Sequence, residues 1–326
     1  MKKEIVLSGI KQTGDMHIGN YFGMIKQVIE MQDEYEKVYL FIPDYHSLIS
    51  VQDRETMKQN ILDTAINIIA LGADPKKLVI FKQSDVPEHT EVTWIFNCLM
   101  SMPQLMRAHA FKDSEAKNKD VSVGLFDYPV LQAADIMLYD ATVVPVGEDQ
   151  RQHIEMARDI ARKFNNMYGE LLMEPEALVK EGVGLIPGSD GQKMSKSYKN
   201  QLALFATEEE TLKYVKSIAM DSKSIDEKKD PDDYALYSIA KLCTTAEQDK
   251  ALRAMFEDGG VGYGTIKDYV AGLVNDYFRP MRAKREELLK NTDEVLEILK
   301  SGGEQARVVA QKKMRKIREA VGLELY

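Results

Sequence analysis

Along the first half of the chain, short apolar runs alternate with longer stretches in which apolar residues return every three or four positions. Glu4–Gly9 (EIVLSG), Lys37–Asp44 (KVYLFIPD), Leu78–Ser84 (LVIFKQS) and Thr142–Gly147 (TVVPVG) are the short runs, each closed by Gly, Pro, Ser or Asp. Runs of this kind predict buried strands. Helical spacing fills the gaps: Ile18, Phe22, Ile25 and Ile29 within 17–35, then Met57, Ile61, Ile68 and Leu71 within 53–71. Ile154, Ala157, Ala161 and Phe164 repeat it within 148–165, and Asp53 and Gly72 with Pro75 mark the start and stop of the second helix.

Strand–helix alternation predicts an α/β fold, a Rossmann-like parallel sheet with helices on both faces, whose ligands bind at the carboxyl ends of the strands. From Thr207 to Leu325 the spacing is almost wholly helical, broken by the charged loop Asp221–Asp233 and by Gly259–Gly264. The expected division is therefore a Rossmann-like catalytic domain over 1–200 and a smaller all-helical domain over 201–326. The last helix is a candidate to pack back on the catalytic domain.

Composition narrows the function. With 326 residues, 44% of them hydrophobic, the chain can bury a substantial core. No run approaches the roughly 18 apolar residues of a membrane span. Gly9 and Lys11 interrupt the apolar start before it becomes a secretory segment. Cys98 and Cys243 lie far apart, and the histidines form no HxxxH pair, so no protein-bound metal is expected. A reducing, cytoplasmic location fits these features. The net charge of −9, from 43 basic and 52 acidic residues, argues against a general nucleic-acid binder; any RNA contact must use a local patch.

Two segments carry phosphate chemistry. In Ser8–Gly23 (SGIKQTGDMHIGNYFG) a strand ends at Gly9, a turn follows at Gly14 and a helix opens near His17. Free N–H groups and the positive dipole end at a helix start suit a phosphate. Gly19 allows close approach to the backbone, and His17 and Asn20, three apart, share one face. A glycine-rich βα turn with polar caps explains the same residues equally well, and both the dinucleotide fingerprint and the GxxxxGK[ST] loop are absent. In Lys193-Met194-Ser195-Lys196-Ser197, preceded by Pro187–Gly191, two lysines three apart can swing onto a polyphosphate. There each contact is worth about 2–4 kcal/mol in the transition state.

Together the two segments identify a family. His17-Ile18-Gly19-Asn20 resembles the HIGH signature of class I aminoacyl-tRNA synthetases, and Lys193–Ser197 resembles their KMSKS loop. The longer SGIKQTGDMHIGNYFG stretch resembles the tryptophanyl branch.

A third segment, 128–139 (YPVLQAADIMLY), is apolar nearly all round, yet Tyr128, Gln132 and Asp135 fall on one stripe. A buried carboxylate must be satisfied, by a protein donor or by a ligand. The resemblance implies that this stripe lines the amino-acid pocket and that Asp135 accepts the indole N–H, with Gly9, His46, Tyr128 and Gln132 around it. A phenol would satisfy Asp135 as well. A fourth segment, Val144–His153 (VPVGEDQRQH), has acidic residues that simply suit a helix start. The resemblance implies instead that it closes over the ribose and adenine of ATP.

Carried over residue by residue, the resemblance implies a full set of roles. His17, Asn20, Lys193 and Lys196 promote catalysis. ATP contacts come from Lys11, Gln12, Thr13, Gly19, Asn20, Gly147, Glu148, Asp149, Gln150, Leu185, Lys193, Met194, Ser195, Lys196 and Ser197. Magnesium travels with ATP, because it prefers phosphate oxygens and water to a protein cage. Implied partners are L-tryptophan, ATP, tRNA(Trp) and a second copy of the chain in a homodimer. The basic clusters Arg307, Lys312, Lys313, Arg315, Lys316, Arg318 and Arg279, Arg282, Lys284, Arg285 are candidate RNA contacts, although most charge runs are solvated helix faces. The aromatics Phe41, Tyr45, Trp94 and Phe111 are read as core.

Departures from the family pattern are Gln12, where proline is usual, and Gln132, in place of a methionine. Only part of a lysine-bearing segment survives around Arg107–Ser114, where Lys112 is a further phosphate candidate. Competing readings are a tyrosyl-tRNA synthetase, a HIGH-containing nucleotidyltransferase acting on a small metabolite, and a non-catalytic synthetase-like protein that binds RNA or amino acid. Residues 200–326 count against the second, and intact His17, Lys193 and Lys196 against the third.

Overall fold

The computed structural model describes residues 1–11, 16–108, 111–112, 121–179 and 186–325, with Lys196 described by its backbone alone. Strands β1 (Lys2–Gly9), β2 (Tyr35–Ile42), β3 (Val79–Lys82), β4 (Val143–Pro145) and β5 (Glu176–Leu178) form one sheet. The longer helices are α1 (Arg54–Ala70), α2 (Glu88–Asn97), α3 (Val123–Met137), α4 (Arg151–Tyr168), α5 (Glu208–Ser217), α6 (Ala235–Lys241), α7 (Ala246–Glu257), α8 (Tyr263–Lys290) and α9 (Thr292–Val321).

The sheet order is β3-β2-β1-β4-β5, and every neighbouring pair is parallel. Gly9 of β1 pairs with Phe41 of β2, which pairs with Phe81 of β3. Successive strands step one way from β1 to β3, and the other way from β4 to β5. The switch point beside β1 is where ligands of such sheets bind. All four expected strands are present. Glu176–Leu178 (EAL) was not expected: three residues are too few to show a period, and only pairing with β4 makes them a strand. Asp53 caps α1 by accepting from Thr56 N at 2.8 Å, and Gly72 ends that helix at a φ of 110°.

The chain forms two compact units. One comprises 1–13, 28–180 and 288–326, and the other 14–27 and 181–287. The first holds the sheet, and its core joins Leu7, Phe81, Phe96, Val130, Ala157 and Phe164 to Ala306, Ala310 and Met314 of α9. Gly302 and Gly303 let α9 lie against the β3 region: a Cβ at Gly302 would stand 1.8 Å from the Ile80 carbonyl oxygen, and one at Gly303 would stand 2.8 Å from Asp85 Cβ. Buried Lys313 fastens the same helix through Asp140 and the Leu171 carbonyl. The second unit holds α5 to α7, most of α8 and the segment 18–27, where Tyr21 and Phe22 meet Tyr277 and Phe278 edge to face or tilted. Among the described residues no helix is long and apolar enough to cross a membrane.

Candidate active site

In the first unit, Asp135 sits on α3, an almost wholly apolar helix, and is 1% exposed. Three side chains satisfy it. Gln83 Nε2 donates to Oδ1 at 2.7 Å, His89 Nδ1 lies 2.6 Å from Oδ1, and His46 Nε2 lies 2.9 Å from Oδ2. Burial by itself raises the carboxyl pKa. The hydrogen bond from His46 and the interactions with His89 outweigh that and hold it below the usual carboxylate value. Gln83 is pinned in turn by accepting from Tyr45 N at 3.1 Å. Behind the imidazole of His89 stacks Phe41, at 6.3 Å between ring centres. Gly9 at the end of β1 leaves room for that ring, because a Cβ there would meet Phe41 Cζ at 2.9 Å.

A second chain of contacts leads from this carboxylate to the loop after β4. His46 meets the Tyr128 ring edge to face at 6.1 Å, and Tyr128 Oη lies 2.8 Å from His153 Nε2. His153 Nδ1 lies 2.8 Å from Gln150 Oε1. Burial pushes the Tyr128 phenol up to about 12, and its hydroxyl shares a hydrogen bond with His153 whose direction follows the imidazole tautomer. Towards Gln150 Oε1, which can only accept, His153 Nδ1 is the donor. Gly147 precedes the short turn Glu148–Gln150, and a Cβ on it would lie 2.6 Å from Asp149 Oδ1. Asp149 is exposed and accepts from Gln150 Nε2 at 2.7 Å, while Glu148 is engaged by Arg151 at 2.8 and 3.0 Å. Gln132 is half-buried on α3 and Lys11 is exposed.

The second unit carries the other signatures. His17 precedes the Ile18–Asn20 turn in extended conformation, and its backbone N–H donates to Asn20 Oδ1 at 3.0 Å. Asn20 therefore caps this helix start. A Cβ on Gly19 would lie 2.8 Å from His17 Nδ1 and 3.5 Å from Met194 Sδ, so glycine is what lets the imidazole fold over the turn. Residues just after the lysine loop run beside this segment: Ile18 N–H donates to the Leu202 carbonyl at 3.1 Å, and Leu204 N–H to the Met16 carbonyl at 2.8 Å. The HIGN segment and the KMSKS loop are thus held together inside one unit.

The loop is built on one buried amide. Asn200, 3% exposed, accepts from Ser195 N at 2.8 Å and donates to Asp190 Oδ1 at 2.7 Å and to the Lys193 carbonyl at 3.1 Å. Met194 is buried, whereas Lys193 and Ser197 are exposed. The backbone is held by Asn200 and the Lys193 side chain is left to solvent. Gln12, Thr13 and Leu185 lie outside the described residues, as does the side chain of Lys196.

Sequence reasoning did not find Gln83, His89, Tyr139, His153 or Asn200, whose roles depend on burial and on partners distant in sequence. One expectation needs correction. Trp94 is 72% exposed and so is not core. The basic clusters are largely engaged in protein contacts: Arg307 pairs with Glu88, Arg318 with Glu91, Lys313 with Asp140, Arg279 with Glu208, and Lys284 with Glu287. Arg279, Arg307, Lys312, Arg315 and Lys316 remain exposed, and of the ten only Lys313 is buried.

The model of the tRNA synthetases class I (W and Y) family matches residues 1–279. A tryptophan–tRNA ligase of Campylobacter jejuni is 47% identical over 98% of this chain and 99% of its own length. One from Fusobacterium nucleatum is 46% identical, with 97% of each chain covered. The crystal structure of the C. jejuni tryptophanyl-tRNA synthetase complexed with ADP and tryptophan has a TM-score of 0.91 over 98% of this chain and 99% of that one. With a family model spanning most of the chain, near-full-length relatives and the same backbone, the protein belongs to the class I tRNA synthetases of the tryptophan and tyrosine group.

Proposed function

We propose that this enzyme activates L-tryptophan with ATP and then transfers it to the 3′ end of tRNA(Trp). The observation that carries this reading is the Asp135 carboxylate, buried and held ionised by three side chains. An indole N–H is a donor with no acceptor capacity, and an ionised carboxylate is its natural partner. Near-full-length similarity to tryptophan–tRNA ligases favours tryptophan over tyrosine at that position.

The tryptophan carboxylate attacks the α-phosphorus of magnesium-bound ATP. A carboxyl O–P bond forms, the bond to the bridging oxygen breaks, and pyrophosphate leaves with the electron pair. No enzyme-bound covalent intermediate is needed, so the protein supplies position and charge. Gly9, His46, Tyr128, Gln132 and Asp135 hold the amino acid. The exposed Asp149 carboxylate suits ribose hydroxyls, with Gly147, Glu148 and Gln150 beside it, and Lys11, Gln12, Thr13 and Leu185 complete the nucleotide contacts. His17, Gly19 and Asn20 engage the phosphates. Lys193 and Lys196 neutralise charge on the departing pyrophosphate, on a loop shaped by Met194, Ser195 and Ser197. In the second step a terminal ribose hydroxyl of tRNA attacks the adenylate carbonyl and releases AMP, while the helical segment from 201 onward reads the anticodon.

A homodimer fits the exposed apolar side chains of Trp94, Met102, Met106 and Val123, which are 72, 63, 47 and 81% exposed. A cytoplasmic location fits free Cys98 and Cys243. The test is charging: labelled tryptophan should become acid-precipitable and ribonuclease-sensitive with tRNA(Trp), and the K193A variant should reduce this. Adenylate formation without transfer to any tRNA would overturn the second half of the reading.

A further inference from the structure

Asp135 Oδ1 is filled from inside the fold, by Gln83 Nε2 at 2.7 Å and His89 Nδ1 at 2.6 Å. Among the described residues Oδ2 meets one donor, His46 Nε2, at 2.9 Å. A carboxylate offers about four acceptor directions, so the open one lies on Oδ2, on the side of partly exposed His46.

His89 is 0% exposed, and its second nitrogen lies 2.9 Å from Tyr139 Oη. Burial keeps the Tyr139 phenol protonated, with a pKa well above the ordinary value. Asp135 Oδ1 can only accept, so a neutral His89 imidazole carries its proton on Nδ1 and its Nε2 accepts from the Tyr139 hydroxyl. Phe41 and Phe81 lie 6.3 and 6.4 Å from the imidazole centre, at interplanar angles of 26° and 30°, and hold its plane.

We propose that His89, its Nε2 held by Tyr139, is a positioning residue for substrate choice: by holding Oδ1 it aims the open direction of Oδ2 at an N–H donor in the amino-acid pocket. This rests on the tryptophan reading above. Without His89 the carboxyl group keeps Gln83 and His46 but loses one of the two donors on Oδ1, which both fixes its plane less firmly and stabilises its charge less. In a fully buried site such a group moves towards protonation, and a protonated carboxyl presents a donor where the indole also has one.

The test uses ATP–pyrophosphate exchange with two amino acids, tryptophan and β-(3-benzothienyl)alanine, in which sulfur replaces the N–H. Loss of one hydrogen bond to a charged group predicts that H89L raises KM for tryptophan about 30-fold with kcat within about threefold. KM for the sulfur analogue should move less than about threefold, since that substrate makes no use of the acceptor. H89N, whose amide nitrogen stands near the place of Nδ1, should recover tryptophan KM to within about fivefold of the parent enzyme. Y139F leaves the ring in place but removes the donor to His89 Nε2, with an expected rise of about fivefold for tryptophan alone.

Equal losses for both amino acids in H89L and Y139F would mean a merely structural role and overturn the proposal. Should H89L fail to fold, Y139F carries the same comparison. The parent enzyme separates the two levels of the claim. If it does not prefer tryptophan to the sulfur analogue, Asp135 is not the indole acceptor. If it does, and H89L and Y139F keep that preference, only the role of His89 falls.

Discussion

The surroundings of Asp135 and the Lys193–Ser197 loop solve opposite problems. Asp135 itself is buried, and its charge sits at 1% exposure because three side chains hold it there. In the loop, the reactive ammonium of Lys193 is exposed, and buried order is confined to the backbone, through the Asn200 amide. A site that must tell one flat side chain from another needs a fixed acceptor, since selectivity comes from unpaired groups in the wrong complex. A site that follows a pyrophosphate as it departs needs cations with reach. Under the proposed function, rigidity serves recognition and an anchored but solvated loop serves the chemical step.

That contrast is broken most severely at Asp135. Asp135→Ala leaves His46, His89 and Gln83 facing an empty space, and the account expects tryptophan KM to rise at least about 100-fold in pyrophosphate exchange. Lys193→Ala should do the reverse. Adenylate formation should slow about 100-fold in single-turnover measurements, while tryptophan affinity by calorimetry stays within about twofold. A large loss of tryptophan affinity in that variant would remove the distinction between the two regions.

Asn200→Ala sharpens the comparison, because it loosens the loop and leaves both lysines in place. Losing a buried amide that shapes the loop should slow adenylate formation about tenfold, with tryptophan affinity unchanged. An unchanged rate would show that the lysines need no fixed backbone.

The smallest effect concerns stability in the second unit. Hydrogen bonds from Tyr234 and Tyr263 lower the Asp221 carboxyl to about 2. Since the folded value lies below the unfolded one, this contribution is fully present above about pH 4 and is lost as pH falls towards 2. Asp221→Asn should therefore make the unfolding temperature less dependent on pH across that window. A parallel decline in both proteins, followed by circular dichroism, would remove Asp221 as a source of acid sensitivity.

How much of this was legible beforehand follows the same division. The strands β1 to β4, the start and stop of α1, and both phosphate signatures are local patterns, and each can be read within a few residues. Asp135 stood out as the acidic residue of an apolar helix. Its partners did not, because Gln83 and His89 lie 52 and 46 positions away and only the folded sheet brings them near. Asn200 sits just beyond the lysine loop, and its part in the loop depends on a burial that no local pattern shows. The ion pairs of α9 were hidden for a related reason: Glu88, Glu91 and Asp140, which neutralise part of its basic face, are distant in sequence.

The most direct test is ATP–pyrophosphate exchange with each amino acid in turn, with magnesium and without tRNA. The account predicts exchange with tryptophan and background rates with tyrosine and the rest. Exchange driven by tyrosine, or by no amino acid, would contradict it.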